Sequence, residues 1–174
     1  MTRYIALLRG VNVGGITVRS AELAELFRSL GFDAVRTVLA SGNVVFESGE
    51  SDAAALKLRI EAALSERFGY EAWIVLVSEA RLARLVAAFP FDEAREGWHP
   101  YVLFGSADAA LDELFAASAS LDPGDDVLAR GDGVLYWHNR RDPGVGSAFA
   151  KLAAKARFKP VTTNRNLRTL RKLL

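Results

Sequence analysis

Along the first half of this chain, hydrophobic periodicity switches repeatedly between the two-residue repeat of a strand and the 3.6-residue repeat of a helix. The order of those switches leaves few folds open. Tyr4, Ala6 and Leu8 alternate with Ile5, Leu7 and Arg9, so residues 3–9 read as a strand that Gly10 stops. Both of its faces are largely apolar, which predicts a central position in a sheet. Leu23, Leu26, Phe27 and Leu30 then recur at helical spacing between Ser20, a candidate cap, and Gly31. Residues 35–40 and 44–47 are rich in β-branched side chains and flank Ser41-Gly42-Asn43, predicting a hairpin. A second helix is expected from about Asp52, with Leu56, Ile60, Leu64 and Phe68 inward and Gly69 closing it. Residues 72–77, AWIVLV, read as a buried strand, and Ser78 as the cap of a third helix carrying Leu82, Leu85, Val86 and Phe89. The order βαββαβ is that of a ferredoxin-like split βαβ unit.

Pro90 and the stretch FDEAREGWHP interrupt this pattern and mark a seam. Beyond it, residues 100–105 read as a strand, 107–118 as a helix, and 127–130 and 134–138 as strands joined through Gly131-Asp132-Gly133. A helix over 147–156 and a last one over 166–174, with Leu167, Leu170 and Leu174 inward, complete a βαββα order without a closing strand. The expected fold is therefore α+β with two subdomains. The first, 1–89, is ferredoxin-like; 90–99 connects it to a related second subdomain, 100–174, ending in a basic helix. At 174 residues the chain can bury about 70% of its unfolded surface without a metal or disulfide. It has no cysteine, which excludes disulfide scaffolds, thiol catalysis and thiolate zinc sites. Its longest apolar run near the N-terminus, Ile5 to Leu8, is too short for a signal peptide or membrane span, so no membrane partner and a cytoplasmic location are expected.

The formal charge of +1 conceals a division. Up to Trp137 there are 12 basic against 20 acidic residues, a balance of −8; from His138 onward there are 10 against one, a balance of +9. Such a segment can meet phosphate on a nucleotide or nucleic acid, or fold onto the protein's own acidic portion. On a helical reading, Arg165, Arg168 and Lys172 fall at i, i+3 and i+7 on one face.

Three segments are polar beyond local need. LRGVNVGG, Leu8 to Gly15, places three glycines and Asn12 after a buried strand, where backbone N–H groups can converge on an anion. It lacks the Gly-Lys-Ser/Thr ending and the helix-opening GxGxxG of the known phosphate loops, so an ordinary glycine-rich connection fits equally. Arg9, at the end of an apolar strand, needs a carboxylate, carbonyls or a bound anion. Ser41-Gly42-Asn43 is explained by turn chemistry alone. TTNRN, Thr162 to Asn166, reads as the start of the final helix, where capping uses one or two residues but leaves Arg165 beside the positive helix end. His99 and His138 are not spaced as metal ligands, Asp122, Asp125 and Asp126 lack calcium-loop spacing, and no catalytic triad or nucleophile elbow is present. The third strand, NVVFES, lacks the signature of an RNA-recognition module.

LRGVNVGG, a helix ending in SLGF, ASGNVVFES and TTNRNLRTLRKLL, in that order over nearly the whole chain, resemble the bacterial family called domain of unknown function 1697. The resemblance implies two α+β subdomains, the first ferredoxin-like, and no established reaction. The family's characteristic polar positions correspond to Arg9, Gly10, Asn12, Gly14, Ser41, Gly42, Asn43, Thr163, Arg165 and Asn166. The chain departs from the family pattern at Leu167, where Trp is usual, at Arg168, where Asn is common, and at Gly146-Ser147, where an Arg-Ser-Lys pattern is familiar.

These observations lead to one functional expectation: an anionic ligand, nucleotide or nucleic acid, bound at a polar site between the subdomains. Arg9 and Arg165 would hold the anion, with Gly10, Asn12, Gly14, Ser41, Asn43, Thr163 and Asn166 around it. The alternatives are an enzyme for a small phosphorylated or carboxylate metabolite and a non-catalytic partner-binding protein. No catalytic residue, metal or cofactor is implied, and oligomeric state is left open.

Overall fold

The computed structural model describes residues 1–11, 15–39, 42–122 and 124–174. Asn12, Gly14 and Ser41, named above as candidate ligand residues, lie outside them. The chain forms two compact units, Met1–Leu82 with Lys172–Leu174, and Ala83–Arg171.

The first unit contains β1 (Thr2–Leu8), α1 (Ser20–Ser29), β2 (Asp33–Thr37), β3 (Asn43–Ser48), α2 (Ala53–Phe68) and β4 (Ile74–Ser78). Its sheet is antiparallel in the order β2-β3-β1-β4, so the doubly apolar β1 is central, as its composition requires. Tyr4, Ala6 and Leu8 of β1 join Val44 and Phe46 of β3 in a core with Leu23 and Phe27 of α1 and Leu56, Ile60 and Leu64 of α2. The local signals explain the helices. Asp52 accepts a hydrogen bond from the Ala55 N–H at 3.1 Å, and Gly69, in the left-handed region at φ +70°, ends α2. At α1 the expected Ser20 cap is instead the first helical residue; Arg19 flanks it and supplies no side-chain cap. Ser78 accepts from the Arg81 N–H at the start of α3 (Glu79–Ala87), as expected.

The second unit contains β5 (Trp98–Gly105), α4 (Asp108–Ser118), β6 (Asp126–Arg130), β7 (Val134–Arg140), α5 (Ala148–Ala153), β8 (Thr162–Asn166) and α6 (Leu167–Arg171). Its sheet order, β6-β7-β5-β8, repeats that of the first when strands are counted within each unit. Leu103, Leu135 and Trp137 pack from the sheet against Leu111 and Leu114 of α4 and Phe149 and Leu152 of α5. The molecule is thus α+β, with helices on two four-stranded antiparallel sheets.

TTNRN differs from its expected form. It is the closing strand of the second sheet, pairing antiparallel with β5, and the last helix begins after it. Thr162 and Thr163 suit a pleated backbone, and β5 offers an unpaired edge that this segment satisfies. Arg165 therefore leaves the helical face assigned to it beside Arg168 and Lys172.

Candidate functional site

The described candidate positions of the first unit, Arg9, Gly10 and Asn43, lie at one end of its sheet. Leu7 pairs with Asn43, and the Leu8 N–H donates to the Gly42 carbonyl at 2.8 Å, bringing the segment that continues into Arg9 and Gly10 beside the hairpin turn. Gly10 and Gly42 have φ of +79° and +76°. Asn43 is fully buried and donates to the Val38 carbonyl at 2.9 Å, closing the hairpin; Arg9 is half-buried.

In the second unit, strand alternation divides the polar run. Thr163 and Arg165 point to one face, whereas Thr162, Asn164 and Asn166 point to the other. Arg165 is buried, donating from Nη1 to the Thr163 hydroxyl at 2.7 Å and to the Asn164 carbonyl at 3.0 Å. Burial lowers its pKa to about 10, since the charged form has lost water. Asn166 accepts from the Arg168 N–H at 2.9 Å and so caps α6, the role expected of one residue in this run.

The other face carries a cleft that sequence reasoning did not assemble. Register sets His99 opposite Asn139, Tyr101 between Trp137 and Asn166, and Leu103 next to Asn164. The three rings form a ladder along the sheet, with His99 to Tyr101 centroids 5.7 Å apart and Tyr101 to Trp137 centroids 5.0 Å. His99, Tyr101, Trp137, Asn139 and Asn164, with Arg141, Pro143, Gly144 and Val145 from the loop after β7, line a cleft of about 340 Å³. A second cleft of about 330 Å³ adjoins it, sharing Trp137, Val145 and Asn164 and extending to Leu103, Ala154, Lys159 and Thr162.

A single carboxylate fixes this wall. Asp126 Oδ1 accepts from Trp137 Nε1 at 2.8 Å, Asn139 Nδ2 at 2.9 Å and Ser147 Oγ at 2.9 Å, while Oδ2 accepts from the Phe149 N–H at 3.1 Å. Ser147 also caps α5, accepting from the Ala150 N–H. The aromatic floor, the loop and the first turn of α5 are therefore tied to one side chain, and its charge is spent inside the wall.

The mouth is cationic. Burial first, then the charges of Arg141 and Arg168, hold the His99 imidazole below its ordinary pKa, which favours the neutral ring at neutral pH. The nearby Glu93 carboxylate is hydrogen-bonded to Arg171 and also feels Arg168, which together hold its pKa below the usual range. Neither the Arg141 nor the Arg168 guanidinium makes an ion pair among the described residues. Arg141 and Arg168 thus place two positive charges close enough to act on His99. Among the described residues, no group of three or more His, Asp or Glu side chains could hold a metal ion, and no helix is long and apolar enough to cross a membrane.

Sequence reasoning set His99 aside for want of metal-ligand spacing and did not link it to Trp137. Their membership of a shared face could have been read from alternation on paired strands, since 99 and 101 lie on one side of β5 and 137 and 139 on one side of β7.

The chain is similar to the structure of a conserved bacterial protein from Streptococcus pneumoniae, with 29% identity and a TM-score of 0.84 over 99% of this chain and 96% of that one. No curated protein matches it. The model of a family described as a protein of unknown function, DUF1697, matches residues 1–136, and the chain belongs to that family.

Proposed function

We propose that the protein binds an anionic ligand carrying a planar ring, a nucleotide or nucleotide unit, in the cleft of the second unit. The observation that carries this reading is the pair of exposed guanidiniums, Arg141 and Arg168, flanking His99 at the mouth of a cleft floored by Tyr101 and Trp137. Rings supply a stacking surface that accepts any base, and guanidiniums supply bidentate donors for phosphate. The exposed Asn164 carboxamide can donate to and accept from a base edge. Arg9 with Gly10 and Asn43 in the first unit, and Arg165 with Thr163 and Asn166 in the second, remain candidate ligand-orienting groups, each judged by its own alanine variant.

The test is thermal denaturation and calorimetric titration with adenosine and guanosine monophosphates. A ligand at one hundred times its dissociation constant adds about 2.7 kcal/mol of stability. Arg141→Ala and Arg168→Ala should each weaken binding several-fold, and added salt should weaken it further. Absence of any nucleotide response, with a phosphorylated or carboxylate metabolite turned over instead, would move the protein into the enzyme class.

A further inference from the structure

The two clefts on the open part of the second sheet are neighbours, not alternatives. They share Trp137, Val145 and Asn164, and each measures about 330 to 340 Å³. Either alone lies at the small end of the range for ligand sites, and the two together fall well inside it. Residues on one face of a strand repeat about every 7 Å, so Tyr101 and Leu103, and likewise Asn166 and Asn164, mark one step along the sheet. That distance is one that a stretched sugar-phosphate link can cover. Positive charge stands at both ends, with Arg141 and Arg168 near His99 at one and Lys159 in the wall of the other. Val145, an apolar side chain that is 92% exposed, lines both clefts where they join, so a ligand spanning the two would cover it.

We infer that the paired clefts are consecutive subsites for two linked nucleotide units, one ring lying against Tyr101 and Trp137 and the second over Leu103 in the cleft walled by Lys159. This rests on the nucleotide reading above and extends it from one unit to two. Asn164, at the junction, can hydrogen-bond to either unit, while the arginines and Lys159 each face phosphate at their own end.

Calorimetric titration of the full chain with adenosine monophosphate, a 3′–5′ linked adenine dinucleotide and a 5′–5′ pyrophosphate-linked dinucleotide tests this. At least one dinucleotide should bind ten-fold or more tightly than the mononucleotide, and which one does so tells whether the source is a nucleic-acid strand or a dinucleotide cofactor. Two variants address the second cleft alone: Lys159→Ala removes its charge, and Ala154→Phe fills its exposed rim. Both should bring dinucleotide affinity down to that of the mononucleotide and leave mononucleotide affinity unchanged. Equal affinity for one and two units, or equal losses for both ligands in these variants, would overturn the two-subsite inference while the single-nucleotide reading stood. If no nucleotide binds, both fall.

Discussion

At φ +76°, Gly42 lies in the left-handed backbone region, and a Cβ built there would meet Val11 Cγ2 at 2.7 Å and Leu8 Cβ at 2.9 Å. Backbone strain and overpacking both oppose any side chain at this turn. Gly42→Ala should therefore cost about 2 to 4 kcal/mol, measured by urea denaturation. Gly31 makes a clean comparison. It has φ +86° but open space where a Cβ would stand, so Gly31→Ala should show the backbone cost alone, about 1 to 2 kcal/mol. Equal losses at the two positions would show that the contacts with Val11 and Leu8 carry no energy. Arg165 makes a second case at this scale. Its buried guanidinium donates to Thr163 and the Asn164 carbonyl, so Arg165→Ala removes volume and these charge-assisted hydrogen bonds together. A loss of about 2 to 4 kcal/mol is expected by the same measurement, whatever the variant does to ligand affinity.

Among elements, the loop between β7 and α5 depends most on a single side chain. Asp126→Ala would strand the Trp137 and Ser147 donors and the Phe149 N–H, leave Asn139 only its bonds to Gly144 and Ser147, and should cost about 3 kcal/mol. Asp126→Asn retains one acceptor but turns an amide N–H toward another donor, so it should rescue little of that loss. Recovery close to wild-type stability in Asp126→Asn would mean that the charge itself is dispensable. The contrast between this loop and β8 shows what was legible in the sequence. Elements whose apolar residues follow a period, such as β1, α1 and α2, could be read with nearly the right bounds, because burial imposes the period. Strand β8 has no apolar alternation: Thr163 and Arg165 are buried, Asn164 is exposed, and the run looks like polar capping chemistry. Its strand character comes from the open edge of β5, a partner 60 residues away in the chain. The missing closing strand in the expected βαββα order was itself the available hint. The cleft was illegible for the same reason: it is assembled from three strands by register, and none of its residues stands out locally.

For the molecule as a whole, the −8 and +9 division of charge resolves partly within the second unit. Arg140 pairs with Asp125 and Arg157 with Glu113, both at 3.6 Å, and Arg171 pairs with Glu93. These pairs are exposed and contribute little to stability. Dependence on pH near neutrality is set instead by the chain's two histidines. His138 is buried among Phe89, Phe91 and Trp98, its Nε2 without a hydrogen-bond partner among the described residues. Burial, then the charge of Arg95, lowers its pKa, and Asp92 opposes this only in part. His99 is shifted the same way by burial, Arg141 and Arg168. A histidine with a folded pKa below its unfolded value of about 6.5 costs nothing while both states are neutral. As pH falls through about 6.5 the unfolded chain takes up protons first, so stability declines until the folded pKa is passed and then levels off. The urea midpoint should consequently drop between pH 7.5 and 5.5. His138→Phe, which keeps the ring stack and removes the titrating group, should flatten much of that slope. Arg168→Ala should act more weakly in this pH range and through His99, because Arg168 is not among the charges acting on His138 and the Glu93 carboxylate it also acts on titrates at lower pH. A pH slope unchanged in His138→Phe would show that the buried ring reaches solvent protons in the folded chain as easily as in the unfolded one.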